Sequence, residues 1–141
     1  MAQPKTKEEA LRQMRLIWIA FVVSTLLYVY IGETTPGFGW LHFKDADKLF
    51  VTVAALNLLS FVWFRIKRYP SGVKLAKDRP HDIRAIRRWM NYWLVLLCSA
   101  ESIAVFGFGL RMGDKTLGQT IPFYAVALLL ELSLWPLPAW E

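Results

Sequence analysis

Cysteine and histidine are almost missing from this chain. Cys98 is the one cysteine, set inside a hydrophobic block, and His42 and His81 are the two histidines, both in loops between the blocks. A disulfide framework and a cysteine-based metal site are therefore excluded. So is a haem held by two histidines within a membrane. Cys98 itself reads as a small buried hydrophobe. No phosphate-cradling glycine loop, nucleophile–base pair or metalloprotease motif is present. His42, Asp45 and Asp47 read as solvated loop groups, so neither an enzyme nor a bound cofactor or metal is expected. Polar sequence long enough to build a separate soluble domain is missing as well.

What the chain has is apolar sequence gathered into blocks. Of its 141 residues 55% are hydrophobic, and that fraction alone would fit a soluble domain. The clustering decides otherwise. Four blocks read as transmembrane helices, at about 16–31, 49–64, 89–110 and 121–140. The first two are shorter than the ~20 residues a bilayer needs. Met14, Phe43 and Ile66 extend them, and local thinning absorbs the remainder. The expected fold is an all-α membrane protein, one four-helix bundle over residues 1–141 made of two hairpins. Basic residues before an apolar run also fit a secretory signal, but residues 28–32 offer no small-x-small cleavage pattern, so the first span is expected to be retained.

Charge sets the orientation. Thirteen Lys/Arg fall before the first span or between the second and third, and four fall in the other two loops. The positive-inside rule then places both termini and the 65–88 loop in the cytoplasm, in a plasma (inner) membrane. Trp18, Trp63, Trp89, Trp93, Trp135 and Trp140 lie near the cytoplasmic ends, the headgroup level an indole prefers. The net charge of +6 reads as topology and attraction to anionic lipids, not as a nucleic-acid surface.

Local signals fill in the ends. Thr6 and Glu9 have capping-box spacing, so residues 1–15 form a helical lead-in to the first span. The run 34–37 is a turn, and Phe38, Trp40, Leu41 and Phe43 after it suggest a segment lying in the interface. Residues 69–72 break the second helix. Asp82 then caps a new one, whose Ile83, Ile86, Met90 and Trp93 recur at helical spacing. Arg84, Arg87 and Arg88 take its other face as the lipid-facing basic residues, so the 65–88 loop holds an amphipathic helix expected to rest on the membrane surface before it turns into the third span. The halves also align as a parallel repeat. Trp18 over Trp93 brings Ser24 over Ser99 and Gly32 over Gly107; Phe50 over Phe123 brings Ala54 over Ala127 and Ser60 over Ser133.

Two carboxylates stand inside the hydrophobic blocks. Glu101 lies roughly 18 Å along the third span, and Glu131 about 15 Å along the fourth from the opposite side. Asn57, Ser24 and Thr25 come to a similar depth, which makes one polar layer. A carboxylate in mid-membrane costs at least ~3 kcal/mol on insertion scales, so it faces a partner, a cavity or a proton path. Asn57, Ser24 and Thr25 read first as hydrogen-bonding glue between helices. A glutamate in a dry site favours its neutral form and can exchange a proton. Glu101, Glu131, Ser102 and Asn57 are thus the proton- or cation-binding candidates. Ala100, Ala104 and Gly107 form a small-residue face on which another helix can approach closely.

The run Ala100-Glu101-Ser102-Ile103-Ala104-Val105-Phe106-Gly107 resembles the carboxylate-bearing helix of rotary ATPase proteolipids, the subunit c family. The resemblance implies a proton-binding role for Glu101, with Ser102 helping to hold the proton or a cation. Arg68-Tyr69-Pro70 and Asp78-Arg79-Pro80 are similar to the polar loop of that family. The helix before the loop departs from it, carrying Phe61, Trp63 and Phe64 where proteolipids pack a glycine-rich face. Two functions are therefore expected: a structural or accessory subunit of a membrane complex or homo-oligomer, or a proton- or cation-translocating element using Glu101.

Overall fold

The computed structural model describes residues 6–35, 46–113 and 115–136. Among these the chain forms helices only: α1 (Lys7–Thr34), α2 (Ala46–Lys67), α3 (Tyr69–Asp78), α4 (Ile83–Met112) and α5 (Leu117–Leu132). Three stretches are long and apolar enough to cross a membrane: α1, the α2–α3 run Lys48–Asp78, and α4. The outward faces of α1, α2 and α5 are greasy. Tyr30, Leu59 and Leu129 keep 65%, 66% and 67% of their surface exposed, far too much to leave in water and suited to lipid. The expected interfacial segment at 38–43 and the last residues of the fourth block lie outside the described residues.

Each boundary has a chemical cause. Thr6 accepts from the Glu9 N–H at 3.2 Å and starts α1, so lead-in and first span are one helix. Asp82 accepts from the Arg84 N–H at 2.9 Å and starts α4. Thr116 and Gln119 close a reciprocal box at the start of α5. Residues 69–72 do not break the chain as expected. After a turn at Arg68 they begin α3, because Pro70 sits in a first turn where its missing N–H is not needed. The Ser71 hydroxyl donates to the Arg68 carbonyl at 2.7 Å.

The central element is α4, on which α1, α2, α3 and α5 all pack. In addition α1 meets α5, and α2 meets α3. Among the described residues α2 packs on neither α1 nor α5. The packing does not follow the expected parallel repeat: the second hairpin closes on itself and, among the described residues, the first stays open. The seam of α4 follows a period of seven. Ile86, Trp93, Ala100 and Gly107 are buried, and so are Leu97 and Ala104. On α5 the facing positions are Thr120, Tyr124, Ala127 and Glu131. This is the spacing of left-handed, knobs-into-holes packing.

Two expectations about the basic end change here. Ile86, Trp89 and Trp93 are 1% exposed or less and pack with Ala10, Met14 and Ala76. The apolar side of the 83–93 segment therefore faces protein, not lipid, because α1 and α3 pack against it. Gly72 permits this: a Cβ there would come within 2.6 Å of the Tyr92 ring. Arg84 and Arg88 are exposed, whereas Arg87 is half-buried with its Nε unpaired. Cys98, expected in the interior, is exposed on α4.

Candidate functional site

The fourth helix is shorter than its apolar block. With 16 residues, α5 spans about 24 Å and ends at Leu132, just after Glu131. Pro136 cannot continue it, and the chain closes with Leu134 N–H to Glu131 C=O and Trp135 N–H to Leu132 C=O. Glu131 thus occupies the last turn of α5, not the middle of a span. Its side chain still reaches mid-bundle, since helical side chains lean toward the N-terminus.

A helix end buried in protein needs donors for its free carbonyls. One indole donates to the last turn of α5 and a second to the turn that follows it. The Trp18 Nε1–H donates to the Glu131 carbonyl at 2.7 Å, and the Trp93 Nε1–H to the Leu134 carbonyl at 2.8 Å. Trp18 also meets Trp135 edge-on, ring centroids 4.7 Å apart. Hence these tryptophans serve α5, while Trp63 and Trp135 stay on the perimeter, 55% and 43% exposed. Trp18→Phe keeps the ring but removes the donor. We expect it to cost about 1 kcal/mol, read as a lower unfolding midpoint in detergent.

Held this way, the Glu131 side chain is fully buried beside the hydroxyl of Thr25, itself fully buried on α1. Thr25 Oγ1 lies 2.8 Å from Glu131 Oε1 and 2.9 Å from Glu101 Oε2. Two carboxyls from different helices therefore bracket one hydroxyl. A hydroxyl has a single proton to donate. Both contacts are hydrogen bonds only when one carboxyl carries a proton and donates it to Thr25. The other oxygen of Glu131 is buried without a partner, an acceptor left for that proton or for an incoming group.

Glu101 differs from its partner in being half-buried. It lies at the edge of the α1–α4 seam, with exposed Cys98 and Val105 beside it on the open face. One carboxyl of the pair is sealed and the other borders the perimeter.

The remaining sequence candidates fall elsewhere. Asn57 donates to the Ser99 carbonyl at 2.7 Å. Ser99 and Glu101 point about 200° apart on α4, so Asn57 ties α2 to the opposite side. The Ser102 hydroxyl spends its proton on the Cys98 carbonyl at 2.8 Å, within its own helix. Ala100 and Ala104 are fully buried, and Gly107 lies against α5, where a Cβ would meet Phe123 Cβ at 2.7 Å. That face receives helices of the same chain. Thr25 emerges as the bridge of the site rather than simple glue, and Trp18 and Tyr124 were not singled out. Their seven-residue spacing from Thr25 and Glu131 was the signal available. No acid/imidazole/thiol cluster fit for a metal occurs among the described residues.

No family model, curated protein or solved structure matches this chain.

Proposed function

We propose that this chain is an integral membrane protein that binds and exchanges a proton in mid-membrane on the Glu101–Thr25–Glu131 cluster. The observation that carries the reading is the one hydroxyl set between two carboxyls. Such a trio holds one proton in common, and its loss leaves two negative charges facing each other in a dry seam. In this reading α1, α2 and α4 supply three crossings. A fourth, short one comes from α5, with local bilayer thinning to match. The thirteen-to-four bias of basic residues supports cytoplasmic termini in an inner membrane. Exposed Arg84 and Arg88 then meet anionic lipid headgroups. The resemblance of residues 100–107 to the proteolipid carboxylate helix points the same way.

A hydrophobic carbodiimide tests this, because it reacts with protonated carboxyls in apolar surroundings. Labelling read by peptide mass spectrometry is expected at Glu101, the member on the perimeter, with Glu131 spared. Alkaline medium should suppress it. An unlabelled Glu101 would count against proton exchange.

The second reading, an accessory subunit or homo-oligomer, draws on α2. Its apolar window is only 6% buried, and a cleft of 370 Å³ lined by Ala54, Ala55 and Phe123 separates it from α5. Chemical cross-linking in native membranes distinguishes a monomer from either assembly.

A further inference from the structure

We infer that the carboxyl pair exchanges its proton with the bundle end that carries Arg111 and Glu33, and that the Tyr124 hydroxyl is the relay. This rests on the proton-binding reading above and adds a direction to it. The two ends of the seam differ in kind. Toward the basic end, the bundle is filled by large apolar groups: Met14, Leu96, Leu97 and Trp93 are each 0% exposed. The Trp18 and Trp93 indoles use their N–H groups on the Glu131 and Leu134 carbonyls and have none left for a passing proton.

Toward the opposite end the seam narrows to small side chains. Ala104 and Ala127 are fully buried between the facing helices. Beyond them is a buried hydroxyl, Tyr124, 4% exposed and without a hydrogen-bond partner. Buried polar groups are nearly always paired, so an orphaned donor asks for an explanation. Its surroundings offer one. A Cβ on Gly32 would lie 3.5 Å from the Tyr124 hydroxyl and 3.1 Å from Arg111 Cγ, so the three residues converge. Arg111 Nε donates to Glu33 Oε1 at 3.0 Å, and these side chains are 24% and 38% exposed. Arg111 also donates to the Lys115 carbonyl. The ion pair is therefore partly exposed at the end of the bundle, and it adjoins Tyr124.

Tyr124 precedes Glu131 by seven residues, and Gly32 follows Thr25 by seven, each about 10 Å along its helix. Water admitted past Ala104 and Ala127 covers that distance. The acid proton leaves its carboxyl oxygen for this water. The Tyr124 oxygen accepts a proton on that side as it gives its own to Glu33, and Glu33 releases it to solvent. The phenol is neutral before and after. The charged or titratable groups around the route are Glu33 and Tyr28 on α1, Arg111 on α4 and the pair itself, with Cys98 on the outer face of α4.

The test is the rate at which the protonated carboxyl takes up deuterium. It is read by the downshift of its infrared C=O band when the protein in liposomes is mixed with D2O. Tyr124→Phe, which keeps the ring, should slow exchange at least tenfold without changing the intensity of the band. Glu33→Gln, an exposed change with little risk to folding, should also slow it. Tyr28→Phe, whose ring packs on Phe108 with centroids 5.4 Å apart, should exchange at the wild-type rate. Unchanged exchange in Tyr124→Phe, or equal slowing in Tyr28→Phe, overturns the relay and leaves the proton-binding reading standing. Absence of any protonated-carboxyl band in the wild type overturns both.

Discussion

Glu131→Gln will assemble normally and will hold one proton fewer than the wild type at neutral pH. Glutamine has the same shape, and its amide N–H can take over as the donor to Thr25 Oγ1. Thr25 is then free to donate to Glu101, now an ionised carboxylate, and every hydrogen bond of the trio survives. Stability should change by about 1 kcal/mol or less, while the infrared band of the protonated carboxyl disappears. Glu131→Ala separates fold from chemistry in the other sense. It empties a fully buried position and should destabilise the bundle by about 2–4 kcal/mol, the range for large-to-small core changes. A Glu131→Gln protein with its protonated-carboxyl band intact would show that the two carboxyls never shared a proton. The glue account of the polar layer would then be preferred.

Much of the helical architecture was legible because block hydrophobicity and capping residues act locally. Thr6 and Asp82 mark the starts of α1 and α4, and the apolar blocks mark their spans. Legibility fails where tertiary packing overrides a local signal. The Tyr69-Pro70-Ser71-Gly72 run has the composition of a break. Gly72 instead serves a close approach to Tyr92, information that sits on a different helix. The fourth block reads as a span to residue 140, yet α5 stops at Leu132. Its end is stabilised by indoles from α1 and α4, and a hydropathy window cannot see a donor 113 residues away. The two carboxylates stood out by their cost in an apolar setting. That they meet was not legible, since it depends on which face each presents. The seven-residue spacing of Trp18, Thr25 and Gly32 on α1, and of Tyr124 and Glu131 on α5, is the pattern that encodes it.

Gly107→Leu should be the most damaging single change in the seam. A Cβ at this position would sit 2.7 Å from Phe123 Cβ and 3.5 Å from the Thr120 carbonyl oxygen. Neither obstacle is the free end of a side chain, so only movement of the α5 backbone can relieve the clash. Overpacking in a well-filled core costs about 1–3 kcal/mol, occasionally more, and a helix forced sideways belongs at the upper end. The displacement also reaches the cluster. Glu131 lies eight residues beyond Phe123 on the same helix, and its hydrogen bond to Thr25 has no slack at 2.8 Å. Gly107→Leu is therefore expected to lower the unfolding midpoint strongly and to lose the protonated-carboxyl band, although it removes no polar group. Gly118→Ala is the control. Its Cβ would meet nothing nearer than Thr116 Oγ1 at 4.0 Å, and replacing glycine within a helix should stabilise by up to ~1 kcal/mol. If Gly107→Leu unfolded at the wild-type midpoint, α4 and α5 would not be packed at this distance. The alignment of Glu131 with Thr25, which depends on that packing, would fall with it.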